Sequence, residues 1–320
     1  MTTNFYQSIP ELHQSDVINN NSGRRIFNKK KARWFLIGTF VIATMMYSTS
    51  MKTFRRSLSE VAEIYVTSHR RASSFRKPIM FTFYNPKDPN GRDFIGDQAL
   101  LQFWTEKWNE AGWDARILTL DDAKKHPRFD EFEEKLNGVP LNGMNEVYNR
   151  LCFYRWLAVA AVGGGWMSDM DVLPLNFPQP DEYFKDGRFA IYSTAPGNSG
   201  GIPCLMSGSA SEWERLAFSV VENAVAHQNE YFWSDMFASI DIYQQNRDSY
   251  DLLDLMGEVM KVDWDEDTCN QYNNKLAAHF SHSAVHKIGL HDINLRSTLS
   301  NDWLNEWRAS CKGYETVEFS

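Results

Sequence analysis

Two aspartates separated by one apolar residue, Asp169-Met170-Asp171, stand within the run GGGWMSDMDVLPL, residues 163–175. In an extended chain, positions i and i+2 point the same way about 6.6 Å apart, and a turn-like end brings two such carboxylates within reach of one cation. Oxygen ligands of this kind suit Mn²⁺ or Mg²⁺, ions that bind through one or two carboxylates and substrate phosphates. A cation held there neutralises charge on a departing phosphate. An isolated Asp-x-Asp is common at solvated turns, so the weight comes from its surroundings. Gly163, Gly164 and Gly165 precede it and let backbone come close to a ligand, and the apolar segment before them carries Arg150 and Arg155.

Other chemistry-bearing residues are more dispersed. Three histidines, His279, His282 and His286, fall within AAHFSHSAVHKIG, residues 277–289, and neutral imidazole is a normal partner for carboxylates at Mn²⁺. Asp235, in FWSDMF, follows a Trp-rich stretch suited to sugar stacking, with a helix N-cap as its alternative role. Of the four cysteines, Cys269 and Cys311 can pair in an oxidising compartment, whereas Cys152 sits in an apolar run as a buried thiol. None of the four has zinc-knuckle spacing.

The elements that must position these groups alternate between strand and helix. IMFTFYNP, from Ile79, is a short apolar run closed by a Pro- and Gly-containing loop, the pattern of a buried first strand. A helix from Asp97 to Ala111 follows, then a strand ARILTL. Residues 145–162 form the strongest helical segment, stopped by the glycine triplet. Trp166–Leu175 reads as an inner strand, so the aspartates fall at a sheet rim, where open α/β sheets bind ligands. RFAIYS and GIPCLMSG read as two short strands, SEWERLAFSVVENAVAH as an amphipathic helix, LAAHFS as a strand and DWLNEWRAS as a closing helix. Trp104, Trp108 and Trp113 are expected in the core. The predicted class is α/β, with helices flanking a parallel or mixed sheet.

Charge is divided along the chain. Residues 1–77 hold 13 Lys and Arg against 4 Asp and Glu, leaving 20 against 37 for residues 78–320. An acidic body is unsuited to phosphate-backbone contacts, which argues against a nucleic-acid partner. Between Arg33 and Lys52 lie 18 uncharged residues. As a helix they span about 27 Å against roughly 30 Å of bilayer hydrocarbon. The basic cluster on the N-terminal side favours a cytosolic N-terminus. The expected organisation is a cytosolic tail 1–33, a transmembrane signal anchor 34–51, a stem 52–77 and a lumenal body 78–320, a single-pass type II protein. The sole Asn-x-Ser/Thr sequon, at Asn20, lies on the cytosolic side of that scheme.

With these residues in view, the chain resembles the Asp-x-Asp glycosyltransferases of the GT-A type, and in particular glycosyltransferase family 32, which includes initiating alpha-1,6-mannosyltransferases. Those enzymes share an Arg-bearing helix, a Gly-Gly pair, an aromatic residue and Asp-x-Asp, here Arg155, Gly163, Gly164, Trp166, Asp169 and Asp171. The likeness is concentrated in residues 145–176. Cys152 stands where the family usually has Asp, and the spacing from the glycines to the first Asp differs by one residue. The segment 277–289 is similar to the C-terminal His motif of the retaining family 8, which implies His279 as third metal ligand and Lys287 as a phosphate contact, with His282 and His286 as rivals for the ligand role. The resemblance further implies a GT-A nucleotide-diphospho-sugar transferase fold, Tyr84 stacking on the nucleotide base, and Arg155, Gly164, Gly165 and Trp166 around the donor. Asp169, Asp171 and Asp235 would serve catalysis. The implied activity is Mn²⁺- or Mg²⁺-dependent hexosyl transfer from a nucleotide-sugar to a glycan, glycoprotein or glycolipid, with retention, in the Golgi or endoplasmic reticulum membrane. The alternative is a non-catalytic lumenal carbohydrate-binding or scaffold protein on a degenerate transferase fold.

Overall fold

A computed structural model describes residues 77–86, 94–141, 145–177, 185–259, 264–287, 289 and 292–311. The expected tail 1–33, the expected anchor 34–51 and the expected stem up to residue 76 lie outside the described residues. No helix among the described residues is long and apolar enough to cross a membrane.

In chain order the body runs β1 Ile79–Phe83, α1 Phe94–Glu110, β2 Asp114–Leu118, α2 Leu120–Ala123, α3 Phe129–Leu136, α4 Glu146–Ala161, β3 Gly164–Ser168, β4 Val172–Pro174, β5 Ala190–Ile191, β6 Leu205–Ser209, α5 Ala210–Ala226, α6 Asp235–Gln245, β7 Asp251–Leu252, β8 Met256–Glu258, α7 Glu266–Asn273, β9 Ala277–His279, α8 His282–Lys287 and α9 Arg296–Ser310. Six strands form a mixed sheet in the order β2-β1-β3-β6-β5-β7, and β4-β9-β8 form a second, smaller sheet. β1 pairs in parallel with β2 and β3, while β3 pairs antiparallel with β6.

Successive strand residues point to opposite faces, and both faces are covered. Phe81, Met167, Ile191 and Met206 enter the core built with α3, α4 and α5. Their strand neighbours Met80, Trp166, Ala190 and Leu205 enter a second core with α1, the small sheet, α7 and α9. Trp104, Trp108 and Trp113 are buried in that second core, as the sequence predicts. The layering is α/β with a mixed sheet flanked by helices. Cys269 on α7 and Cys311 just after α9 form a disulfide, also as expected.

One expected element is divided. Trp166–Leu175 is not a single strand but β3 and β4, which belong to different sheets. At the break the Asp169 N–H donates to Cys204 O (2.8 Å) and the Val172 N–H donates to Asp169 O (3.0 Å), closing a tight turn. The Trp ladder of α1 braces both sides of this turn. Trp104 Nε1 donates to Ser168 Oγ (2.9 Å) and Trp108 Nε1 to the Val172 carbonyl (3.1 Å). The i, i+4 spacing of the two indoles on one helix face matches the i, i+4 separation of their partners across the turn.

Candidate functional site

The turn between the two sheets presents Asp169 and Asp171 side by side. β4 pairs antiparallel with β9 in a register that sets Val172 opposite His279, and the Phe280 N–H donates to Asp171 O (2.8 Å). His279 Nε2 lies 3.5 Å from Asp171 Oδ1. One ligand atom from each of Asp169, Asp171 and His279 falls within 4.8 Å of the others. Two carboxylates and an imidazole at that separation fit a shared divalent cation by donor chemistry and by spacing. His282 and His286 lie on α8 and are not part of this group.

Arginines hold the carboxylates from two directions. Arg155, on α4, donates through Nη1 to Asp169 Oδ1 and through Nη2 to Asp235 Oδ2, the latter at 2.6 Å. Arg296, the first residue of α9, donates to Asp171 Oδ2 at 2.9 Å. Asp235 also accepts from Trp156 Nε1 (3.0 Å) and is 4% exposed. The helix cap at this point is Ser234, whose side chain accepts from the Phe237 N–H, so Asp235 is not the N-cap. Nor does Asp235 line the cleft. It sits behind Arg155 and orients it, which replaces the catalytic role expected from the sequence with a positioning one.

Asp169, Asp171, Arg155 and Arg296 open onto a cleft of about 140 Å³, lined also by Tyr84, Asp97, Tyr148 and Cys152. Tyr84 follows the last residue of β1, and its N–H donates to Leu118 O (2.9 Å). Cys152 is half-buried rather than fully buried, and burial pushes its thiol up to about 12, so it presents a neutral group to the cleft. Lys287 ends α8, and its side chain lies outside what is described.

Three expected donor contacts do not line the cleft. Gly164 and Gly165 begin β3, at the end away from the aspartates, and Trp166 is 4% exposed and stacks on Tyr192. The glycines answer a packing demand instead. Gly163, Gly164 and Gly165 all have φ between 78° and 116°, and a Cβ on Gly164 would lie 2.5 Å from the Ala210 nitrogen at the start of α5. A side chain there would drive β3 away from β6.

Burial raises the Asp169 carboxyl to about 6; Arg155 opposes that rise and the Asp171 carboxylate adds to it. For Asp171, burial is outweighed by His279 and then Arg296, which hold it below the usual carboxylate range. The two acids therefore titrate as a pair, as adjacent carboxylates must. Burial would lower the His279 pKa, but the Cys204 sulfur and the Asp171 carboxylate reverse this and push it well above the usual imidazole value. Arg155 remains charged: burial works against it, and Asp169 and Asp235 more than compensate.

Arg296, Asp97 and Tyr148 were not singled out from the sequence. Tyr148 carried a signal, since Tyr148, Cys152 and Arg155 recur at helical spacing and share one face of α4. Arg296 carried none, because its partner lies far away in the chain. No model of a known protein family matches the chain, and no curated protein matches it either.

Proposed function

We propose that this protein is a metal-dependent glycosyltransferase of the GT-A type. It would move a hexose, with retention, from a nucleotide-sugar to a glycan, glycoprotein or glycolipid acceptor. The observation that carries the reading is the convergence of Asp169 and Asp171, from the turn before β4, with His279 at the end of β9, the two aspartates lining a cleft. Asp169, Asp171 and His279 would hold Mn²⁺ or Mg²⁺, which when bound offsets the charge of the diphosphate leaving group. Tyr84 offers an aromatic face for the base at the end of β1. Arg155, fixed by Asp235, keeps Asp169 oriented toward the cleft.

In the transfer the acceptor oxygen bonds to C1, the C1–O bond to phosphate breaks, and the acceptor proton passes to the departing phosphate oxygen. The apolar segment 34–51 and the Cys269–Cys311 disulfide support a type II membrane protein with its body in the lumen of the Golgi or endoplasmic reticulum. The acidic body supports the absence of a nucleic-acid partner. The test is turnover of UDP- and GDP-sugars by the detergent-solubilised full chain with Mn²⁺. Asp171→Ala should abolish transfer and donor hydrolysis, and a variant that turns over normally refutes the reading.

A further inference from the structure

Arg296 belongs to no motif, yet among the described residues it makes the shorter of the two ion pairs to Asp171, and it lines the cleft. Its side chain is 11% exposed, its Nη1 donates to Asp171 Oδ2 at 2.9 Å, and its buried Nε has no hydrogen-bond partner. The fold invests in this placement. The Gly96 N–H donates to Asn294 Oδ1 (3.2 Å), two residues before Arg296. A Cβ on Gly96 would lie 2.6 Å from the Asn294 Cα, so glycine is what allows α1 to meet the segment entering α9. Because Arg296 opens a 15-residue helix, the positive end of that helix dipole lies at the same rim.

A guanidinium spent wholly on Asp171 would be an odd use of this position. Asp171 Oδ1 already faces His279, and a divalent ion between those two atoms would draw on the same carboxylate charge that Arg296 now neutralises. The arginine's charge then becomes redundant at Asp171 and available to an anion in the cleft. A planar fork matches a phosphate as well as it matches a carboxylate.

We propose, on the basis of the transferase reading above, that Arg296 couples the metal to the donor. It holds Asp171 when the cation is absent and contacts the diphosphate once the cation is bound. Arg296 is then a substrate-binding residue that competes weakly with the metal for Asp171. A purely structural ion pair would do neither.

The two roles move metal and nucleotide affinity in different directions, and that difference is the test. In the detergent-solubilised full chain, Mn²⁺ affinity is measured alone by the loss of its free-ion EPR signal. UDP and GDP affinities are then measured by calorimetry at saturating Mn²⁺, with uridine and guanosine as phosphate-free controls. Arg296→Gln should bind Mn²⁺ no more weakly than the wild type, bind the nucleoside diphosphate at least about tenfold more weakly, and leave the nucleoside unchanged. Arg296→Lys, which keeps the charge and loses the fork, should fall between the two and guards against a folding defect in the glutamine variant. Equal diphosphate affinity in wild type and variants overturns the proposal alone. So does a parallel loss of Mn²⁺ and diphosphate, which would make Arg296 only a brace for Asp171. If the wild type binds neither nucleoside diphosphate with Mn²⁺, the proposal and the transferase reading fall together.

Discussion

Arg155 spans the gap between Asp169 and Asp235, one amino group on each, so a buried acid that never reaches the cleft fixes an arginine that does. Asp235 is 4% exposed and Arg155 8%. Removing one partner of such a pair leaves an uncompensated charge, and Asp235→Ala should cost about 3–5 kcal/mol of stability. Asp235→Asn keeps an acceptor for Trp156 and should cost less, about 1–3 kcal/mol. Denaturant unfolding checks both. A stability change within ~0.5 kcal/mol for the alanine variant contradicts the positioning role.

The disulfide closes a loop of 42 residues between α7 and the end of α9. By loop-closure entropy that is worth about 3–4 kcal/mol. Cys269→Ser together with Cys311→Ser should lower unfolding stability by roughly that amount, read by denaturant midpoint. Because α9 begins with Arg296, the double variant should also loosen the cleft wall more than it disturbs the large sheet, which hydrogen exchange at α9 and β3 would resolve.

Much of this was legible in the sequence. Strands β1, β2 and β6 and helices α4, α5 and α9 follow from short β-rich runs and helical periodicity bounded by Gly, Pro and Ser. The apolar stretch of α4 with its Gly stop is the clearest case. Asp169, Asp171 and His279 were singled out as ligands, and they converge. What escaped was whatever depends on distant partners. Nothing local marks Arg296 as the ion-pair partner of Asp171, and nothing local shows that Asp235 faces inward to Arg155 rather than capping its helix. The split of Trp166–Leu175 was missed because its β-prone, apolar residues fit one long strand. The turn is imposed by pairing β3 with β6 and β4 with β9. The glycine triplet was read as ligand contact for the same reason: the crowding at Ala210 that demands Gly164 arises only once the sheet forms.

Cation affinity should depend steeply on pH. Asp169 holds its proton up to about 6 and His279 well above the usual imidazole value, whereas Asp171 is already ionised. A metal ion takes the deprotonated groups, so binding releases protons and tightens as pH rises. Mn²⁺ affinity should rise about tenfold per pH unit for each proton released between pH 5 and 7, and Asp169→Asn should flatten the lower part of that slope. A pH-independent affinity in the wild type contradicts the assignment of Asp169 as a ligand.

Away from the cleft, His126 is 7% exposed and its Nδ1 accepts from the Arg128 N–H (3.2 Å), which requires that nitrogen to be unprotonated. Burial lowers its pKa below 6.5; Glu214 opposes this and Arg128 adds to it. The unfolded chain therefore binds the proton more readily than the folded one. The stability contributed by His126 is present above pH 6.5 and is lost as pH falls below it. Asn at this position offers an oxygen to the same N–H without titrating, so His126→Asn should reduce the loss of stability between pH 6.5 and 5. Thermal unfolding across that range reads the difference, and identical slopes for variant and wild type would contradict a buried neutral imidazole.

The most direct measurement is anomalous scattering at the manganese edge from crystals of the protein grown with Mn²⁺ and UDP, and separately with GDP. The account expects one peak in contact with carboxylate oxygens of Asp169 and Asp171, the His279 imidazole and a diphosphate oxygen. Manganese bound elsewhere, or nucleotide density without manganese at these three side chains, would contradict it.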